Sequence, residues 1–304
     1  MGVTVAAVVD APRARWHAHP YNRSRYYRLA AAAAPRLPRP VRAWLAERLA
    51  GLLTVRFPAE RAAVRRNLTR VHPGRDAAWL DAAVDRVFAR FAVCFADLLS
   101  LNREESGLWR HVAAGDGQEP TLNALAGGRG CVSLTAHLGN WELGGRLLAT
   151  LGRPVHVVMA PEGDPAVGAL LARGGHPGLR FVRLTSPMVG VELVAALRRG
   201  EVVAFQLDRA LGGRGDAAVP FFGAPVTFPL GPFLMAAAAA APVVPAFCVL
   251  EAGGSYRLHV EPALAVSRGG EVEALRAAVA ILERYVRTHW DQWFNFYDVW
   301  GRVS

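Results

Sequence analysis

The chain has 304 residues, with 35 basic and 25 acidic side chains, a formal net charge of +10 and 52% hydrophobic residues. That apolar fraction excludes a disordered chain and is enough for one large domain or two small ones. Every basic residue is Arg and none is Lys, which excludes a lysine nucleophile, a Schiff base and a P-loop lysine.

The N-terminal 12 residues hold a short apolar stretch, residues 3–9, with no positive charge before it. This does not read as a secretory signal. Residues 21–48 combine Tyr21, Tyr26, Tyr27 and Trp44 with Arg23, Arg25, Arg28, Arg36, Arg39, Arg42 and Arg48. No nucleic-acid motif accompanies them, so no nucleic-acid partner is expected. A surface lying on anionic lipid fits better than a plain solvated basic face. Val41, Trp44, Leu45, Leu49, Leu52 and Leu53 recur at helical spacing, and a second periodic segment runs over residues 79–99. Residues 113–120 read as a loop. A helical N-terminal region, residues 1–115, is therefore expected ahead of an α/β core, residues 116–304.

From there short apolar runs alternate with helical ones. Strands are expected at 131–136, 154–159, 180–184, 202–207, 243–250 and 256–260, and helices at 143–151, 166–172, 191–198, 233–241 and 271–288. This pattern predicts a mixed central sheet with helices on its faces. Residues 217–250 carry no charge, but their six prolines exclude a single spanning helix, so the run reads as buried core. Cys94, Cys131 and Cys248 lie far apart, which suits neither a disulfide framework nor a zinc site and points to a reducing cytoplasm.

The segment 132–145, VSLTAHLGNWELGG, is the most informative. It reads as a strand, a turn at Leu138–Gly139 and a helix capped by Asn140. His137 then stands at the carboxyl end of a strand, where ligand and catalytic groups of α/β sheets gather, and Glu142 in the first helical turn. A histidine and a carboxylate so placed make a base and its orienting partner. Spacing alone decides nothing: nine His and 25 acids in 304 residues give about 0.7 chance matches to His-x4-acid, and His111/Asp116 is a second one. His111 lacks the preceding strand and reads as a surface residue.

HLGNWE resembles the H-x4-D/E block of the lipid A late acyltransferases and the phosphatidylinositol mannoside acyltransferases, within the glycerophosphate acyltransferase superfamily. AVRRNLTRVHP (63–73), GEVVAFQLDR (200–209), VPFFG (219–223) with Thr227, APVVPAF (241–247) and Gln292–Trp293 are similar to further blocks of that family, in order. The ending departs from it, with Asp298 where a basic residue is common. The resemblance implies a glycerophosphate-acyltransferase-like fold. It implies transfer of an acyl chain from acyl carrier protein or acyl-coenzyme A to a hydroxyl of a lipid or glycolipid, with no cofactor and no metal. Its setting would be the cytoplasmic face of the bacterial inner membrane, held peripherally.

Carried onto this chain, His137 is the general base and Glu142 orients and charge-stabilises it. Asn140 and turn N–H groups are candidates for the oxyanion. Asp208, Arg209 and Arg214 are candidates for substrate phosphates, with a solvated basic loop as the plainer reading for the two arginines. The aromatic C-terminus, residues 290–300, reads as core packing, an acyl pocket or an interface belt. A non-catalytic lipid- or carrier-binding homologue of the same fold is the alternative function.

Overall fold

The structure is a computed structural model that describes residues 32–100, 108–113, 123, 127–159, 178–183, 187–210 and 215–301. The helix expected at 166–172, residues 21–28 and Arg214 lie outside the described residues.

Three helices come first: α1 (Arg39–Leu53), α2 (Pro58–Val71) and α3 (Ala77–Ser100). A two-residue strand, β1 (Val112–Ala113), precedes the main α/β alternation. That alternation runs β2 (Cys131–Thr135), α4 (Trp141–Ala149), β3 (Val155–Met159), β4 (Leu179–Arg183), α5 (Pro187–Arg198) and β5 (Val202–Gln206). A hairpin of β6 (Asp216–Phe221) and β7 (Ala224–Pro229) follows, then α6 (Gly231–Ala239), β8 (Val243–Leu250), β9 (Tyr256–Val260) and α7 (Glu271–Thr288).

Seven strands form one sheet in the order β1-β9-β8-β2-β5-β3-β4. Only β8 and β9 pair antiparallel. The inner strands β2, β5 and β8 are nearly continuous apolar runs, as sheets covered on both faces require. Along β8 the side chains alternate. Val243, Phe247 and Val249 join the cluster with α5, α6 and α7, while Ala246, Cys248 and Leu250 join the one with α2, α3 and α4. The expected mixed α/β architecture is therefore present, and the uncharged run 217–250 is two strands, a helix and the inner strand β8. Among the described residues no helix is long and apolar enough to cross a membrane.

The hairpin was not foreseen as strands. Phe222 and Gly223 both have positive φ, 47° and 76°, the two-residue turn whose twist matches the flanking strands. Its prolines sit in a two-stranded ribbon that leaves ladder positions open.

The larger correction concerns α1. Its arginines were expected on the outer surface, yet Arg42 is only 4% exposed. Arg42 Nη2 lies 2.8 Å from Asp97 Oδ1, Arg39 Nη2 lies 2.9 Å from Asp97 Oδ2, and the Tyr256 hydroxyl donates to the same carboxylate at 2.9 Å. The apolar residues face outward instead: Trp44, Leu49, Leu52, Leu53 and Val55 are all more than half exposed. Arg48 stays outside with this apolar row, its guanidinium over the Trp44 ring. A buried carboxylate facing two guanidiniums binds α1 to α3 and β9. Asp97→Ala should cost about 3–5 kcal/mol of unfolding free energy in urea titration, because it leaves two largely buried cations uncompensated.

Candidate active site

β2 and β5 pair in parallel with Thr135 opposite Gln206. Both chains continue two residues beyond that pair, so His137 and Asp208 emerge side by side at the carboxyl edge of the sheet. His137 Nδ1 lies 2.8 Å from Asp208 Oδ1, and the His137 backbone N–H reaches both carboxylate oxygens at 3.0 and 3.1 Å. Both residues are buried. The carboxylate at Nδ1 is therefore Asp208, where the sequence pointed to Glu142, because strand register and not helical spacing sets the distance.

The turn after His137 is tightly held. Gly139 has φ +64°, and a Cβ there would sit 2.1 Å from the Cys248 carbonyl oxygen, so glycine is required. Gly139 N–H donates to Gln292 O at 2.9 Å and Asn140 N–H to Cys248 O at 2.7 Å. Asn140 caps α4 as expected, its Oδ1 accepting from Leu143 N–H at 3.1 Å. Its Nδ2 donates to Cys94 O. The turn N–H groups of residues 137, 139 and 140 are thus all engaged within the protein, and Asn140 serves the cap. Those three N–H groups are held by protein acceptors in this arrangement.

Glu142 stands in the first turn of α4, where the helix dipole favours negative charge. It lines a cavity of about 50 Å3 between α4 and the sheet, together with Trp141, Gly144, Gly145, Leu148, Ser133, Thr135, Gln206 and Phe181. The Trp141 ring meets the imidazole edge-on at 5.0 Å. Glu142 also supports the charge of buried Arg146 one turn on.

The residues least legible in the sequence lie in the C-terminal segment 292–300. Gln292 closes the end of β8 with its side chain, accepting from Leu250 N–H and donating to Leu250 O, both at 2.8 Å. Trp293 Nε1 donates to Asp208 Oδ2 at 3.2 Å, and Asn295 Nδ2 to the same oxygen at 2.7 Å. The Tyr297 hydroxyl donates to Asp208 O at 3.0 Å. Arg209 directs Nε to Asn295 Oδ1 and Nη2 to Phe294 O. Asp298, the departure in the ending, pairs with Arg66 of the RRNL segment at 2.7 Å. The Gln-Trp dipeptide was the only sequence signal for this arrangement. Trp293 and Phe294 are buried, so the aromatic ending is largely core packing. His111 is exposed, as read.

Burial, then the Arg209 guanidinium, push the His137 imidazole below its ordinary value, with Asp208 opposing them. Burial works against ionising Asp208, but His137, Arg209 and Asn295 outweigh it and hold the carboxyl well below the usual range. The resting pair is a neutral imidazole oriented by an anionic carboxylate. The buried Cys94 and Cys131 thiols are pushed up to about 12, and that of Cys248 still higher, which removes them as nucleophiles near neutral pH.

A sequence profile described as "Bacterial lipid A biosynthesis acyltransferase" matches residues 26–302. The chain belongs to this family. Its curated relatives include the phosphatidylinositol mannoside acyltransferases of two Mycobacterium tuberculosis strains, CDC 1551 / Oshkosh and H37Rv. Each is 27% identical over 181 residues, covering 58% of this chain and 56% of the relative. The matched region thus spans little more than half of those relatives. Among solved structures, the 1-acyl-sn-glycerophosphate acyltransferase PlsC of Thermotoga maritima aligns over 81% of this chain and 98% of its own, at 15% identity and TM-score 0.35. His137 of the HLGNWE segment is, among the described hydrogen bonds, the histidine whose Nδ1 meets a buried aspartate.

The direction of the imidazole shift has a measurable consequence. In 13C NMR of labelled histidine, with the signal assigned by His137→Gln, His137 should titrate below pH 6.5. The unfolded chain binds that proton more readily, so this group's contribution to stability is present above about pH 6.5 and falls as pH drops toward the lowered folded value. A midpoint above 6.5 would show that the Asp208 charge outweighs burial.

Proposed function

We propose that the chain is an O-acyltransferase that moves a fatty acyl group from an acyl thioester to a hydroxyl of a lipid or glycolipid acceptor, with His137 as general base. The observation that carries this reading is the buried His137–Asp208 pair beside a cavity walled by Trp141 and Glu142, in a chain of this family. In the reaction, His137 Nε2 takes the acceptor hydroxyl proton as that oxygen attacks the thioester carbonyl. The tetrahedral intermediate collapses, the C–S bond breaks, and the imidazolium returns the proton to the departing thiolate. An ester and a free thiol result, and no acyl-enzyme is needed.

Asp208 keeps the tautomer with Nε2 available as base, the role a carboxylate on Nδ1 fills best. Glu142 places a second carboxylate on the cavity side, where it favours the imidazolium formed in mid-reaction. The apolar part of the cavity, with Leu148, Leu179 and Phe181, suits the acyl chain. The donor is an acyl carrier protein or coenzyme A thioester, and its phosphates are assigned to Arg214 and Arg209. The acceptor class follows the family, not any contact seen here.

His137→Ala should lower turnover of acyl thioester on a lipid extract by about 10²–10⁴-fold in a chain that still folds cooperatively, at a thermal midpoint lowered by the donor that Asp208 loses. Asp208→Asn should approach it, and His111→Ala should match the unaltered enzyme. Wild-type turnover in His137→Ala would remove the assignment.

Peripheral attachment at the cytoplasmic face of the inner membrane belongs to the same proposal. The outward row Trp44, Leu49, Leu52, Leu53 and Val55 on α1 and the turn after it offers an apolar face to the interface. Arg48, stacked on Trp44 at 5.7 Å, adds a cation for anionic headgroups. Replacing Trp44, Leu52 and Val55 with Ser should abolish cosedimentation with anionic liposomes and leave hydrolysis of a soluble thioester intact. Undiminished cosedimentation would place the contact elsewhere.

A further inference from the structure

Asp208 is crowded with donors: the His137 backbone N–H, His137 Nδ1, Trp293 Nε1 and Asn295 Nδ2. The last two come from a segment about 85 residues further along the chain. Asn295 is 1% exposed, and both ends of its amide are used. Nδ2 faces the carboxylate at 2.7 Å and Oδ1 accepts from Arg209 Nε at 3.2 Å. Turning the amide over would set oxygen against carboxylate and NH2 against guanidinium, so its neighbours dictate one orientation.

The segment is itself fastened from behind. Buried Asn67, on α2, donates to Asn295 O at 3.1 Å and Tyr297 O at 2.8 Å, and accepts from Val299 N–H at 3.1 Å. On its other side Phe294 N–H donates to His137 O at 2.7 Å. A chain of direct bonds therefore runs from α2 through the C-terminal segment to the base.

We propose that Asn295 is a positioning residue for the His137–Asp208 pair, holding Asp208 Oδ1 on Nδ1 while Asn67 holds Asn295 in place. Neither asparagine needs to touch substrate. The kinetic consequence of this role rests on His137 being the base; the physical one does not.

A donor on Asp208 stabilises the pair most when the imidazole is neutral and the carboxylate carries an uncompensated charge. Losing that donor favours the protonated imidazole. The other charged or titratable groups around the pair are Arg209 beside Asp208, Tyr297 against its backbone, and Glu142 with Arg146 on α4. None of these is altered by a change at residue 295, although Arg209 loses an acceptor.

Asn295→Leu removes the amide at similar volume, and Asn295→Asp keeps the shape and the acceptor for Arg209 while replacing the donor with a second carboxylate. By NMR the His137 imidazole should titrate about half a unit higher in Asn295→Leu and a unit or more higher in Asn295→Asp. The acidic limb of kcat/KM should move with it. Turnover of Asn295→Leu should fall roughly tenfold or more, with acceptor KM within about twofold. Should Asn295→Leu fail to fold, the isosteric Asn295→Asp carries the test. A folded variant in which His137 titrates as in the unaltered protein overturns the proposal. Activity retained in His137→Ala would instead refute the catalytic reading, and the imidazole titration would still decide the role of Asn295.

Discussion

The structure depends on one buried carboxylate. Asp208 would be costly to bury as an anion without compensation, and four donors with a neighbouring guanidinium supply it. Those donors come from β2's extension and from the C-terminal segment, so satisfying the charge draws three distant parts of the chain together. The group that needs satisfying is also the one that orients the His137 imidazole. An apolar residue in its place would relieve the burial cost and lose the tautomer control.

Asp97, on α3, repeats the device. Its carboxylate faces Arg39, Arg42 and Tyr256, and fixes α1 against the body of the protein. That attachment turns the apolar side of α1 outward, an orientation that would make little sense for a helix seeking a protein core. The Arg-only composition serves this well. A planar guanidinium can meet a carboxylate with two nitrogens, as Arg39 does with Nε and Nη2.

The turn between β2 and α4 is the other fixed point. Its glycine lies against Cys248 O, and its N–H groups are bonded to β8 and to the residue before Trp293. The N–H groups of residues 137, 139 and 140 are engaged inward, on Asp208, Gln292 and Cys248.

Much of this was legible in the sequence. Periodicity located the long helix α3 and the strands β2, β5 and β8, because 3.6- and 2-residue repeats of burial follow from local geometry. The strand–turn–helix around His137 was readable for the same reason, down to the Asn140 cap. The partner of His137 was not. Glu142 is five residues away and visible to any local reading, whereas Asp208 is brought in by the β2–β5 register, a pairing across the sheet with no local signal. The same holds for Asn67 and Asn295, which look like ordinary polar residues until the chain folds. The direction of α1 was also decided late, since an amphipathic pattern reports two faces but not which one the protein covers. Local sequence determined the elements and the strand–turn–helix that carries His137; long-range pairing of buried charge decided which carboxylate meets its imidazole and which surfaces remain outside.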